Sequence, residues 1–162
     1  MAEENQTNSQ KQLVLQKIYI KDLSFESPRS PGVFANNVSP QTKLNIKSSA
    51  SEVAPDTQEV TLTLTVEAVN EDKTLFMLEI EQAGLFRIQG YSAEEAQMLI
   101  GSYCPGTLYP FAREAISDVI TRGGFPQLLL QPINFDALYA QVLKDRTDGE
   151  GGESVQPPQP TH

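Results

Sequence analysis

The chain has 162 residues, enough for one domain with one core, and 21 acidic against 12 basic residues give a formal net charge of −9. Such a surface repels phosphate backbones and anionic lipids, which argues against nucleic-acid binding and favours positively charged partners. A single cysteine excludes an internal disulfide, and no apolar run approaches the roughly 18–20 residues of a membrane span. With an acidic, polar N-terminus unlike a secretory signal, the sequence predicts a cytoplasmic protein without direct membrane insertion.

Four segments rich in β-branched, aliphatic and aromatic residues predict β-strands at residues 13–26, 42–48, 59–69 and 74–88. A loop containing three prolines and a glycine, residues 27–40, separates the first two strands. The polar link between the last two strands is short, which predicts that they form an antiparallel hairpin.

Period-two alternation predicts which side chains share a face of the sheet. In the first strand, one face carries Tyr19, Lys21, Leu23 and Phe25, and the other carries Ile18, Ile20, Asp22, Ser24 and Glu26. In the fourth strand, one face carries Phe76, Leu78, Ile80 and Gln82, and the other carries Leu75, Met77, Glu79 and Glu81.

The helical half of the chain begins at a capping box, because Ser92 is followed three residues later by Glu95. The helix predicted from there runs to residue 122, with a kink or interruption at the prolines between residues 105 and 110. The glycine pair at 123–124 ends it, because glycine accepts the left-handed conformation of a C-cap.

An apolar, extended connector at residues 125–133 leads to a second helix that Asn134 can cap. One side of that helix carries Phe135, Leu138, Tyr139 and Val142. Two helices held apart by an apolar connector indicate a surface groove.

Four strands followed by two helices predict an α+β fold. We expect a four-stranded antiparallel sheet, with a kinked long helix and a second, C-terminal helix packed on one face. The long helix carries apolar residues on more than one side, which predicts burial against another subunit. The ordered domain is predicted at residues 13–146, between a disordered N-terminal tail at 1–12 and a disordered acidic tail at 147–162.

Residues for catalysis are scarce. The only histidine is His162, at the end of the predicted tail, which removes most hydrolase schemes and most zinc sites. Cys104 is predicted to be a buried apolar residue, because no base is available to activate its thiol. There is no phosphate-binding G-x-x-x-x-G-K-[ST] motif. The sequence therefore predicts a binding protein that is not an enzyme and that uses no metal or cofactor.

Six motifs in one order carry a resemblance to a known family: KDLSFESP at 21–28, QAGLF at 82–86, YCP at 103–105, PFARE at 110–114, RGGFPQL at 122–128 and PINFDAL at 132–138. With these motifs the chain resembles the SecB family of bacterial export chaperones. The resemblance implies a homotetramer, a dimer of dimers of subunits with four-stranded antiparallel sheets. It also implies an ATP-independent chaperone that holds unfolded secretory precursors in an export-competent state and delivers them to the motor SecA.

The same resemblance implies two sets of site residues. The acidic SecA-binding surface of the family maps onto Asp22, Glu26, Met77 and Glu79. The client-binding groove maps onto Phe25, Leu78, Ile80 and Gln82. For Leu78 and Ile80, packing in the core is the alternative, because a groove floor and a core wall look alike in sequence.

A second function remains open beside export. An oligomeric adaptor of the same fold could be dedicated to one partner, such as a toxin–antitoxin pair. The presence of Asp22, Glu26 and Glu79 favours the export function.

Overall fold

The computed structural model of the chain describes residues 10–148. Its strands are β1 (Gln12–Glu26), β2 (Gln41–Ala54), β3 (Thr57–Asn70) and β4 (Lys73–Gln89). A short 3-10 turn, Gly32–Ala35, lies in the loop between β1 and β2. Its helices are α1 (Ala93–Met98), α2 (Cys104–Arg122) and α3 (Phe135–Asp148), and a π-helical segment, Leu99–Tyr103, joins α1 to α2.

The four strands form one antiparallel sheet in the order β1-β4-β3-β2. The predicted hairpin is confirmed: β3 and β4 are joined at Glu71 and Asp72, whose φ angles of 49° and 61° are those of a tight hairpin turn. β1 and β2 are the edge strands, so the β1–β2 loop crosses between opposite edges of the sheet. The α+β prediction is confirmed.

The core lies between one face of the sheet and α2. β3 alternates as predicted, and its inward side chains are fully buried: Val60, Leu62, Leu64, Val66 and Ala68. From the helix side, four side chains with no exposed surface meet them: Leu108, Ala112, Ile116 and Ile120. We call this face of the sheet the helix face and the opposite one the outer face.

β1 does not alternate along its whole length, because it contains two β-bulges. Ile20 is paired with Gln82 and Asp22 with Glu81, so Lys21 is an extra residue without a partner on β4. The bulge reverses the phase of the strand. The prediction that Ile18 and Ile20 share the face of Asp22 is therefore wrong.

Upstream of the Lys21 bulge, Ile18 and Ile20 lie on the helix face, and Tyr19 is paired with Ala83 on the outer face. Downstream of it, the predicted phase of residues 22–26 is correct. Leu75, predicted beside Met77, is likewise the extra residue of a bulge and is buried with the core.

The long helix is continuous from α1 to α2, and its irregularity is the π segment. The capping box is present, since Glu95 N–H donates to Ser92 Oγ and Ser92 N–H donates to Glu95 Oε2. Where a kink was predicted at the prolines, Cys104 N–H donates to Leu99 O, a bond across five residues. Pro105 follows immediately, where its missing N–H would otherwise interrupt a regular helix.

α3 packs against the π segment. Asn134 caps α3 as predicted, with Ala137 N–H donating to its Oδ1 at 3.0 Å. Ser102 Oγ in the π segment donates a hydrogen bond to Asp136 Oδ1. A side chain at Gly101 would overlap the ring of Tyr139, so glycine permits this close approach.

The described residues begin and end close to the predicted tails. β1 begins at Gln12 and α3 ends at Asp148, so one or two predicted tail residues at each end belong to regular structure. Residues 10 and 11 of the predicted N-terminal tail precede β1, and the other predicted tail residues, 1–9 and 149–162, lie outside the described residues.

Candidate functional site

The outer face carries an acidic surface that is assembled by strand pairing. Across β1 and β4, Asp22 is opposite Glu81, Ser24 opposite Glu79 and Glu26 opposite Met77. Residues directly opposite in an antiparallel pair have Cβ atoms about 4.5–5.5 Å apart. The register thus brings the four residues of the predicted SecA-binding set together: Asp22, Glu26, Met77 and Glu79.

Two further carboxylates, which the sequence reasoning did not assign, extend this surface. Glu81 is opposite Asp22, and Glu67 on β3 is opposite Met77. We define the acidic surface as Asp22, Glu26, Glu67, Met77, Glu79 and Glu81. Its members come from three strands, so only their pairing reveals it.

Hydrogen bonds hold two of these carboxylates in place. Thr65 Oγ1 donates to Glu79 Oε2 at 3.2 Å, and Thr74 Oγ1 donates to Glu67 Oε1 at 2.7 Å. Like charges on directly opposite positions repel each other, so a positively charged partner would reduce the repulsion between Asp22 and Glu81.

Glu59, a further carboxylate on the outer face, already has hydrogen-bonding and charged partners within the protein. Tyr19 OH donates to Glu59, and Lys21 Nζ lies 2.9 Å from Glu59 Oε1. The hydrogen bond from Tyr19 and then that from Lys21 lower the pKa of Glu59. Burial, with the Glu59 hydrogen bond adding to it, raises the pKa of Tyr19 to about 12. Glu59 is therefore charged but already paired.

The predicted client-binding residues lie on the helix face, but three of the four are covered. Leu78 and Ile80 are 0% exposed and Gln82 is 4% exposed, because the packing of α2 on this face closes over β4. The Gln82 amide donates to Tyr19 O at 3.1 Å, so its polar end is satisfied inside the protein. In this structure the core-packing alternative describes Leu78 and Ile80. Phe25 alone of the four is partly exposed.

Phe25 belongs to a group of four rings that the sequence reasoning did not assemble. We define the aromatic cluster as Phe25, Phe34, Phe76 and Phe125. The ring centroids of Phe76 and Phe125 are 4.8 Å apart, those of Phe34 and Phe125 5.4 Å, and those of Phe25 and Phe76 5.9 Å. Phe34 is 51% exposed, so the cluster opens to the surface.

The end of α2 fixes the position of the aromatic cluster. Gly124 has a φ of 89°, and Phe125 N–H donates to Ile120 O while Gly124 N–H donates to Thr121 O. These two bonds form a Schellman cap, which confirms the predicted helix end and turns Phe125 back toward the sheet. A side chain at Gly124 would stand 3.0 Å from the Phe34 ring.

The connector after α2 is anchored to that helix but displays an apolar side chain. Gln127 Nε2 donates to Ser117 Oγ at 3.0 Å, and Tyr109 OH donates to Gln131 O at 2.5 Å. Between these anchors Leu129 is 66% exposed. On the other side of the cluster, the edge strand β1 exposes Ile20 and Leu23 on the helix face. Apolar surface thus extends from both sides of the aromatic cluster.

Cys104 shows no sign of reactivity. It is fully buried, and burial raises the pKa of its thiol to about 12, so the thiol stays protonated at neutral pH. No helix among residues 10–148 is both long enough and apolar enough to cross a membrane.

The fold and the two surfaces define an α+β binding protein with an apolar helix face and an acidic outer face. Residues 6–146 match the family described as preprotein translocase subunit SecB. The chain belongs to the SecB family, and it is a protein-export chaperone. The resemblance drawn from the six sequence motifs is thereby confirmed.

Relatives named protein-export protein SecB cover nearly the whole chain. The protein from Legionella pneumophila is 44% identical over 149 residues, and that from Nitrosococcus oceani is 46% identical over 151 residues, with 92% of each chain covered in both cases. The protein from Methylococcus capsulatus is 48% identical over 89% of this chain and 92% of its own.

A solved structure shares the fold at low identity. It is the Mycobacterium tuberculosis SecB-like chaperone in complex with a ChAD peptide from an antitoxin. Its TM-score is 0.61 at 18% identity, over 75% of this chain and 87% of that chain.

Proposed function

We propose that this export chaperone works in the cytoplasm without ATP, holds unfolded secretory precursors at the aromatic cluster and delivers them to SecA through the acidic surface. The observation that carries the proposal is the separation of these two surfaces on opposite faces of one sheet. A client on the helix face leaves the outer face free, so client and SecA can be bound at the same time.

The aromatic cluster suits a client that has no fixed sequence. Ordering an unfolded segment costs about 1–2 kcal/mol per residue in backbone entropy, and apolar burial has to offset this. Aromatic rings supply large contact areas without demanding a particular hydrogen-bond pattern. Exposed Phe34 and Leu129, with partly exposed Phe25, offer such contacts.

Within the proposed groove, the buried residues have a supporting role. Leu78, Ile80 and Gln82 hold β4 beneath α2, and Phe76, on the same strand, contacts both Phe25 and Phe125. We therefore assign direct client contact to Phe25 and its exposed neighbours. Leu78, Ile80 and Gln82 form the wall behind the groove.

The acidic surface suits a basic partner. Asp22 and Glu26 are exposed, and Glu79 is half-buried beside them. Complementary charge speeds the encounter and fixes the register more than it adds affinity. This supports SecA docking at Asp22, Glu26, Met77 and Glu79.

A homotetramer would repeat both surfaces. Exposed apolar side chains on the helices support contacts between subunits, namely Met98, Tyr103 and Phe111. Four chains would carry a formal charge of 4 × −9 = −36, which helps to keep exposed apolar grooves soluble. Repeated grooves make later client contacts intramolecular and so raise avidity.

The test uses two substitutions that separate the surfaces. Phe34→Asp should weaken the ability of the purified protein to delay aggregation of several unrelated unfolded precursors without ATP, while SecA binding persists. Asp22→Lys should do the reverse. Val53→Asp and Glu52→Lys, at exposed positions of β2, serve as matched controls.

Three results would contradict the proposal. The first is a purified protein that does not delay the aggregation of any precursor. The second is loss of both aggregation suppression and SecA binding in each variant while the fold is retained. The third is a single subunit in sedimentation at micromolar concentration. Binding of one dedicated peptide and of no other unfolded chain would instead support the adaptor function.

A further inference from the structure

Met77 is the apolar centre of the acidic surface. It is paired with Glu26 on β1 and with Glu67 on β3, so one row across three strands reads carboxylate, thioether, carboxylate. Met77 is 39% exposed, whereas its neighbour on the same strand, Leu75, is buried. A basic partner that neutralises Glu26 and Glu67 has to close over the sulfur between them.

Burial of the Met77 thioether in a complex contributes apolar contact to the affinity. The flanking charges mainly steer the approach of the partner. Interfaces concentrate their binding energy in a few central, desolvated side chains, and methionine is enriched among interface residues. The sulfur of Met77 is therefore placed where a change in its polarity alters partner affinity.

From this geometry we propose that Met77 is a reversible oxidation site through which peroxide weakens docking of the basic partner, an inference that rests on the proposed SecA function. The sulfur attacks one oxygen of hydrogen peroxide, an S–O bond forms as the O–O bond breaks, and water leaves. Sulfur is oxidised by two electrons and peroxide is reduced. Reduction by methionine sulfoxide reductases restores the thioether.

The surroundings of Met77 make the sulfoxide costly in a complex. The new oxygen accepts hydrogen bonds, but ionised Glu26 and Glu67 have none to donate. Neither residue paired with Met77 can satisfy the sulfoxide, so in a complex it draws on donors of the partner, and the flanking carboxylates compete for the same cationic groups. Hydrogen peroxide is uncharged, so the negative surface does not repel it from the sulfur.

The experiment exposes the full chain to hydrogen peroxide, removes the peroxide with catalase and then measures binding of untreated SecA. Peptide mass spectrometry gives the fraction of Met77 that carries one added oxygen. We expect the dissociation constant to rise about tenfold on oxidation, the effect of losing one central apolar contact. Suppression of precursor aggregation should persist, because the clients are bound on the helix face.

Two variants sharpen the test. Met98, on α1, is the other exposed methionine among the described residues. The variant Met98→Leu should lose SecA affinity on oxidation, as the wild type does. For Met77→Leu, the dissociation constant for SecA should be the same before and after peroxide treatment. Treatment with sulfoxide reductase should restore binding of the oxidised wild type.

Unchanged SecA affinity of a protein whose Met77 is fully oxidised would overturn this inference and leave the proposed function standing. An equal loss of affinity in Met77→Leu would also overturn it. Failure of the reduced protein to bind SecA at all would overturn the SecA part of the proposed function, and this inference with it.

Discussion

The ring of Phe25 lies against Gly123 so closely that a methyl group on that glycine would stand 2.7 Å from Cε1 and nearer still to Cζ. This contact joins the end of the edge strand β1 to the end of α2, which are far apart in the chain. It places Phe25 beside Phe125, two residues after the glycine. The aromatic cluster therefore depends on the absence of a side chain at one position.

Gly123→Ala should destabilise the protein by about 1–3 kcal/mol, the usual effect of overpacking. The φ of Gly123 is −72°, which alanine adopts without strain, so the effect is steric. Urea unfolding measures it, and Gly32→Ala is the control because nothing lies within 4 Å of a side chain there. In a Phe25→Leu background the penalty should shrink, and an equal penalty in both backgrounds would refute the contact.

Gly101→Ala should release α3 from the π segment, because the new methyl group overlaps the Tyr139 ring. Hydrogen exchange of the backbone amides in α3 should then become faster. Gly106→Ala is the matched control: its methyl group would lie 3.7 Å from the nearest atom of Phe135, an ordinary contact. If α3 is equally protected in both variants, α3 does not dock on the π segment through Tyr139.

Low pH should reduce the free energy of unfolding through protonation of Glu59. Hydrogen bonds from Tyr19 and Lys21 hold the pKa of Glu59 below 4.5, its ordinary value. A depressed pKa means that this stabilisation is present above pH 4.5 and is lost as the pH falls through the folded-state value. The difference in urea midpoint between the wild type and Glu59→Gln should therefore shrink below pH 4.5.

Tyr19→Phe offers the control for that pH dependence. It removes the hydroxyl that contributes most to the lowered pKa of Glu59 and leaves the ring in place. The loss of stability attributable to Glu59 should still begin near pH 4.5, but it should be smaller and be complete at a higher pH than in the wild type. An unchanged acid profile in this variant would mean that Tyr19 does not set the titration of Glu59.

Glu79→Gln should slow the association of SecA several-fold and reduce its dependence on salt, because steering charges act mainly on the encounter. Glutamine keeps an acceptor for Thr65 Oγ1, which donates to Glu79 at 3.2 Å, so the strand is not disturbed. Association kinetics at low and high salt provide the measurement, with Glu52→Gln as a control outside the acidic surface. A change confined to the dissociation rate would argue against steering by this residue.

Features determined by nearby residues were predictable from the sequence. The alternation of β3, the β3–β4 hairpin, the Ser92 capping box, the Asn134 cap and the glycine end of α2 each depend on a few adjacent positions. The acidic pairs on β1 and β4 were predictable too, because alternation downstream of the bulge is regular. The long-range pairing of these two strands was not.

Other features depend on packing between distant segments. A β-bulge adds one residue without any mark in composition, so the reversed phase of Ile18 and Ile20 was not visible. The burial of Leu78 and Ile80 follows from α2 lying over β4, which periodicity alone does not reveal. Phe34 gave a weak signal, as an aromatic residue in a loop rich in proline.

The bulge at Lys21 determines where β1 tolerates a change in chain length during evolution. Deletion of Lys21 would leave Ile20 opposite Gln82 and Asp22 opposite Glu81, since Lys21 has no partner on β4. Deletion of Leu23 would instead move side chains from one face of the sheet to the other, because a shift by one residue turns a strand over. Insertions and deletions between homologous chains should therefore collect at the bulge and be purged from the residues that follow it.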